Sequence, residues 1–559
     1  MAHKMSDFTR RDFLSRSSAI LAGGAVLTDA ACVSKNQPAP HIKRWNLRAA
    51  WIDKTLDGTK VRLRAYNEVI PGPVITARPG EQLHVRLSNR LTKYDSTGWN
   101  GDHNVPHMLD TTNLHLHGLE IVPHLFEPVG TRDTTSEIIA IPPGKDKDYL
   151  FRIPDDQPPG LFWYHPHHHG STAIQAVSGM AGGIIIFGEI DEVREIKAAR
   201  DIPLVIQDIG LFPSETETDL WLYEPRQNAI WNTLKSQVYL NGIPEPTLQG
   251  GFTSGDYKLR YFLINGEPFY KEVHNEENPL DPVGTQLQVP RFNLKPGEVV
   301  RFRMLNANSD GVTPIVFEDH ELHLIALDGV NFSEPRTLPI KGIEGKYGDQ
   351  QLLLAPANRA EFLFKANDKP GIYQVVQLEQ DQQFLVNSRR VLAEIKIAGD
   401  PVNMKLPDKL PIPSRHYPLI RTDEVKRTRK VVFSMGFPPV LNKIVGLDFM
   451  VNNQLYDEKA IDMTVDLGSA EEWRISVPDE QNGGSQGHPF HVHVNSFEVI
   501  SIDGKTQPSG TIQDTIWVQK NTEVIIRMKF RQWTGKSVYH CHILTHADAG
   551  MIRNFLIRG

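Results

Sequence analysis

VITARPGEQLHVRLSN (Val74–Asn89), RFNLKPGEVVRFRMLN (Arg291–Asn306) and IDMTVDLGSAEEWRISV (Ile461–Val477) are three versions of one phrase. In each, a run of alternating apolar residues meets a glycine turn and an acidic residue, and a second alternating run follows. Alternation is the period of a half-buried β-strand, and glycine supplies the turn between two of them. A second triple repeats further along: Gly160-Leu-Phe-Trp-Tyr-His165, Gly371-Ile-Tyr-Gln-Val-Val376 and Gly535-Lys-Ser-Val-Tyr-His540. An Asp-Gly turn after an apolar strand occurs at Asp328-Gly329 and again at Asp503-Gly504. The spacing between copies, roughly 160–220 residues, is too long for a solenoid. The sequence therefore predicts an all-β chain of three consecutive β-sandwich domains at 41–190, 195–395 and 400–559. Proline-rich stretches near Glu189–Pro203 and Asp400–Pro413 are read as the links.

Composition agrees with this reading. A chain of 559 residues is too long for one core. Its 42 glycines and 39 prolines are spread between short apolar runs, as in a turn-rich β protein. A net charge of −7 leaves no basic footprint for nucleic acid, which is not an expected partner. No segment reaches 18 uninterrupted apolar residues, so no membrane span is expected. The first 40 residues read as an export leader and linker. Thr9-Arg10-Arg11-Asp12-Phe13-Leu14 is a twin-arginine pattern, followed by an apolar stretch from Ala19 to Leu27 and small residues at Ala30 and Ala31. A periplasmic or otherwise exported location, and a monomer, are expected.

There are two cysteines, Cys32 at the leader junction and Cys541. An exported protein would normally pair its cysteines. Cys541 has no partner to pair with, and metal ligation as a thiolate is the natural use for it. It lies in His540-Cys541-His542-Ile543-Leu544-Thr545-His546-Ala547-Asp548-Ala549-Gly550-Met551. Thiolate, imidazole and a late thioether are the ligands of a blue-copper electron-transfer site. On a strand, Cys541 would point to one face and His540 and His542 to the other.

Three further clusters carry histidine pairs: His115-Leu-His117, His165-Pro-His167-His-His169 and His488-Pro-Phe-His491-Val-His493. A His-x-His on a strand sets two imidazoles on one face about 7 Å apart. One such pair is more often ordinary polar surface, but four clusters together are not. Eight histidines, at 115, 117, 165, 167, 491, 493, 540 and 542, suit three ions. His488, Cys541, His546 and Met551 remain for a separate mononuclear site. His168 and His169 are read as facing solvent or supporting ligands; His103, His107, His124, His320 and His323 are read as ordinary polar residues.

These motifs, in this order and over nearly all of the chain, resemble the laccase-like three-domain multicopper oxidases. The resemblance implies three cupredoxin-like Greek-key sandwiches and four copper ions. It implies a type 1 copper on His488, Cys541 and His546 with Met551 axial, a type 2 copper on His115 and His491, and a type 3 pair on His117, His165, His167, His493, His540 and His542. Cys541 with His540 and His542 would carry electrons between the sites. The implied activity is one-electron oxidation of phenols or aromatic amines coupled to reduction of dioxygen to water. The alternatives are a Cu(I) or metal-ion oxidase, disfavoured because the 11 methionines form no insert, and a non-enzymatic copper-binding relative. Related enzymes often carry a proton-relaying glutamate where this chain has Ala547, so either Asp548 substitutes or that route is absent. Glu127 or Asp133 is expected to be the second relay carboxylate. The middle domain, without ligands, is expected to wall the donor site, with Thr422–Asn453 and Gly342–Gln351 as candidate walls.

Overall fold

The computed structural model describes residues 42–92, 103–104, 106–214, 216–223, 257–274, 282–381, 386–436, 448–478 and 487–559. The expected export leader, Cys32 and residues 437–447 of one candidate wall lie outside these. The described chain is nearly all β, and one topology occurs three times. Each copy of the repeated phrase is a strand, a glycine turn and a strand that crosses from one sheet to another. Gly72–Ala77 lies in a four-stranded sheet and Gln82–Asn89 in the largest sheet. Arg291–Leu294 and Val299–Asn306 make the same crossing, as do Met463–Asp466 and Ala470–Ser476. Before the crossing each first strand runs parallel to the last strand of its unit: Gly182–Ile186, Arg390–Ile397 and Ile552–Arg558 respectively. After the crossing each second strand runs parallel to a strand that opens its unit: Ile42–Leu56, Arg200–Pro213 and Val425–Gly436.

Each unit closes over its own apolar filling. Leu83, Val85 and Leu87 meet Leu116, Phe162, Tyr164 and Ile184 in the first. Phe302, Met304 and Phe362 meet Phe292, Phe317 and Ile395 in the second. Trp473, Ile475 and Ile526 meet Phe490, Tyr539, Cys541 and Phe555 in the third. The alternation that predicted the strands is visible as burial: Tyr149 and Phe151 are buried between exposed neighbours, and along Glu523–Lys529 every second side chain is buried.

Two features depart from the reading of the sequence. The stretch taken as the first link is structured: Glu189–Glu192 is a 3-10 turn, Arg194–Ala198 a short helix, and Arg200–Pro213 a strand that contains Pro203. The first two units also share one 13-stranded sheet. Leu220–Leu222 joins them, running antiparallel to Arg200–Pro213 on one side and parallel to Thr59–Tyr66 on the other. Three residues are too few for periodicity to reveal.

Both Asp-Gly turns have two left-handed residues, Asp328 (φ 44°) with Gly329 (φ 79°), and Asp503 (φ 49°) with Gly504 (φ 71°), the conformation that suits a tight hairpin. They differ in surroundings. A Cβ on Gly329 would stand 2.3 Å from Phe162 Cζ of the first unit, whereas nothing lies within 4 Å of one on Gly504. Gly504→Ala should cost the left-handed penalty alone, about 1–2 kcal/mol. Gly329→Ala should cost that and a further 1–3 kcal/mol or so of overpacking, read as the difference between their denaturation midpoints.

Candidate metal centre

The site grows from two ladders. In the first unit His115–His117 pairs with Gly160–His165 so that His115 faces His165 and His117 faces Trp163. Directly opposed residues share a face, so His115, His117 and His165 project together. In the third unit His488–Val492 pairs with Gly535–Cys541, His491 opposite His540 and Phe490 opposite Cys541. Alternation then sends His491 and His540 out toward the first unit. Phe490, Cys541 and His488 turn inward to the core of the third.

The outward histidines from the two units interleave. His115 stacks on His493 with ring centroids 4.0 Å apart, and His117 on His491 at 3.9 Å. Nε2 of His540 stands 3.1 Å from Nε2 of His167 and 3.2 Å from Nε2 of His493. Nitrogens that close, with all eight rings buried, are the spacing of ligands around a shared cation. Burial keeps the rings neutral, with lone pairs available: His165 is held down to about 3 and His540 to about 4.

Several rings are held by one nitrogen and leave the other inward. His115 Nδ1 meets His124 Nε2 at 3.2 Å, His165 Nδ1 meets the Pro166 carbonyl at 2.9 Å and His491 Nδ1 the Asp514 carbonyl at 2.8 Å. Their Nε2 atoms are buried with no hydrogen-bond partner, as are both nitrogens of His542. His117 is reversed. Its Nε2 is held by Asp514 Oδ1 at 3.0 Å, and its Nδ1 is the orphan. A buried orphan nitrogen costs stability unless something occupies it, so the donor set fits metal ions.

On the inward face, Cys541 Sγ lies 3.4 Å from His488 Nδ1 and 3.8 Å from His546 Nδ1, and the two nitrogens are 3.3 Å apart. The Ile543 N–H donates to the sulfur at 3.3 Å. Met551 is fully buried, its carbonyl accepting from the Cys541 N–H and its own N–H donating to the His546 carbonyl. Burial pushes the Cys541 thiol well up, so an ion must displace a proton to bind there. Soft sulfur with imidazole is the donor set of copper.

Of the three expected carboxylates, two lie away from the histidines. Glu127 is exposed and paired with Lys147. Asp133 is exposed and closes its own turn on Thr135. Neither is brought to the buried histidines, because the loop that carries them turns outward. Asp548 is buried, but both oxygens are occupied at 2.8 Å by the N–H groups of Gly170 and Ala173. It pins the third unit to the histidine loop of the first, and burial pushes it up to about 7.

The carboxylate that does reach the histidines is Asp514, which the sequence reading missed. It touches His117 and forms an ion pair with Arg359 of the middle unit, through Nη1 at 2.9 Å and Nη2 at 2.5 Å. Thr515 Oγ1 lies 3.2 Å from His491 Nδ1. His124, taken as ordinary, orients His115: its Nε2 also accepts the Leu116 N–H at 3.1 Å, and its Nδ1–H donates to the Val122 carbonyl.

Two buried clusters, one with a thiol and one of eight imidazoles, are joined through adjacent residues of one strand. Three family models, each described as multicopper oxidase, match residues 104–190, 245–394 and 427–559. The chain belongs to the multicopper oxidase family, oxidoreductases that use dioxygen and bind type 1, type 2 and type 3 copper. It is 25% identical over 574 residues to a multicopper oxidase of Mycobacterium tuberculosis, covering 97% of this chain and 95% of that one. It is 25% identical to one from Staphylococcus haemolyticus, covering 87% and 82%. Among solved structures, a multicopper oxidase from Campylobacter jejuni, titled a metallo-oxidase, shares the fold at TM-score 0.64, with 23% identity over the full length of both chains.

Asp514→Asn should weaken copper retention by the histidine cluster about 10–100-fold, the usual effect of removing a carboxylate behind a ligand, and leave the visible band of the thiolate site in place. Glu127→Gln should change neither. Copper analysis after chelator challenge, with absorption spectra, reads both.

Proposed function

We propose that the chain oxidises phenolic or aromatic-amine donors one electron at a time, four donors for each dioxygen reduced with four protons to two waters. The observation that carries this is the strand Gly535–Cys541, which puts Cys541 in one cluster and His540 in the other. In this reading His488, Cys541 and His546, with Met551, hold the type 1 ion; His115 and His491 hold type 2; His117, His165, His167, His493, His540 and His542 hold the type 3 pair. Bound copper would supply one-electron acceptance at the first site and multi-electron reduction of dioxygen at the second. The protein supplies the rest. The peptide bonds flanking Cys541 are the shortest covalent route from sulfur to the His540 and His542 rings. Asp514 fixes His117 so that Nδ1 faces inward, and complete burial keeps bulk water from the reacting oxygen.

Donor entry is proposed at a cavity of about 450 Å³ between the second and third units. That is the size of a small-molecule pocket. Leu327, Tyr347, Leu353, Ile516 and Trp517 line it. Tyr347 belongs to the Gly342–Gln351 wall expected from sequence. The Trp517 ring packs on Gly487, the neighbour of His488. A pocket lined by Tyr347 and Trp517, with Trp517 against the neighbour of His488, favours an aromatic donor over a bare metal ion. In this arrangement units 41–190 and 400–559 carry the copper, and 195–395 walls the donor and braces Asp514 through Arg359. Export through the twin-arginine pathway remains part of the proposal on the leader motif. Among the described residues no helix is long and apolar enough to cross a membrane.

Cys541→Ser should abolish the intense visible absorption and all donor oxidation; a surviving blue colour would refute the type 1 assignment. Trp517→Ala should raise KM for a phenol roughly 3–10-fold, the worth of one aromatic contact, with the visible band intact. Dioxygen uptake with a phenol and with Cu(I) tests the donor class. Turnover with Cu(I) alone would replace the proposal with a metal-ion oxidase.

A further inference from the structure

A second group of histidines lies beside the first, outside the ligand motifs. His103 and His107, from the loop before the first histidine pair, face His168 and His169, which follow His167 directly. The His107 ring is the hub, 5.2 Å by centroid from His103 and 6.3 Å from each of His168 and His169. Within the copper-ligand set the same measure is 5.2 Å for His488 and His546, and 6.1 Å for His115 and His491. His107, His168 and His169 are buried; His103 is exposed and opens the group to solvent.

Two of these rings, His168 and His169, have polar groups behind them. The Ser171 hydroxyl donates to the Thr111 carbonyl at 2.8 Å, so it accepts from His168 Nδ1 at 3.2 Å. The lone pair of His168 is then on Nε2. His169 turns Nδ1 toward Asp548 Oδ1 at 3.9 Å, and its ring packs on Tyr456 at 4.4 Å. The His103 backbone is also within hydrogen-bonding reach of the His169 ring. His169 Nε2 is nevertheless buried without a hydrogen-bond partner. His169 thus has one nitrogen on the side of a carboxylate and the other empty. The backbone N–H of His107 donates to the Gly170 carbonyl at 2.9 Å, which ties the His107 loop to the same turn. Among the described residues the four rings do not converge as tightly as the copper trios, and His103 is the member exposed to solvent.

We propose that His103, His107, His168 and His169 form a separate, solvent-accessible site for one divalent copper ion. Imidazoles without thiolate or carboxylate ligands suit copper, which heads the affinity order for divalent metals. With no thiolate ligand the site has no intense visible band, so occupancy is read by metal content and electron paramagnetic resonance, independently of turnover.

Copper-loaded enzyme is dialysed against copper(II) at increasing concentration, beside the His103→Ala/His107→Ala double variant. The wild type should take up one equivalent more than the variant, with nitrogen hyperfine structure on the added signal and the same type 1 band in both. Equal uptake by the two proteins overturns the proposal, since the added copper would then be adventitious. If the double variant loses its type 1 band, His103→Ala alone decides. Its exposed ring can be removed without disturbing the core, and at least tenfold weaker binding is expected. Unchanged affinity overturns the proposal.

Discussion

The pairing of His491 with His540 across one antiparallel ladder is the constraint on which the rest of the molecule depends. Strand alternation then leaves no freedom: Cys541 must face the core of the third unit and His540 must face the first. A slip of one residue would exchange the faces, putting the thiol among the imidazoles and His540 in the apolar core. Register is held from both sides. Gly535–Cys541 also pairs with Ile552–Arg558, and the buried residues Phe490, Tyr539 and Phe555 pack only in this phase.

Gathering eight imidazoles at an interface has a cost in desolvation and orphaned nitrogens. The protein offsets it with supports drawn from all three units. His124 comes from the first and Asp514 from the third. Arg359 of the second spans the junction to Asp514, and also donates to the Leu161 carbonyl of the first at 3.2 Å. The second unit, which contributes none of the eight rings, thus braces the carboxylate that holds His117 Nε2. Asp328, on the same Arg359 network, accepts from the Asn358 side chain and from the N–H groups of Asp514 and Thr515. Burial, with the neighbouring Asp514 carboxylate, raises its proton affinity.

Much of this was legible in the sequence because it was periodic or clustered. The threefold phrase marks three sheet crossings, and the ligand histidines stand in dense groups with a fixed two-residue step. What could not be read was made of single residues brought together by the fold. Asp514 lies almost 400 positions from His117, and neither it nor Arg359 or His124 stands in a pattern. Glu127 and Asp133 misled because nearness in sequence to His117 is not nearness in space when the chain turns outward between them. Leu220–Leu222 is likewise a strand only by virtue of its two neighbours.

The division of the histidine cluster between the two ends of the chain has a consequence for its history. Half of the eight rings, and the sulfur with both its nitrogen neighbours, lie beyond residue 487. While the chain emerges N-terminus first, His115, His117, His165 and His167 wait as an unfinished half-bowl. Thr59–Tyr66 meanwhile offers an open edge until Leu220–Leu222 arrives. The eight-ring cluster therefore cannot close while the chain is being made. Closure of the bowl is an event of the finished polypeptide.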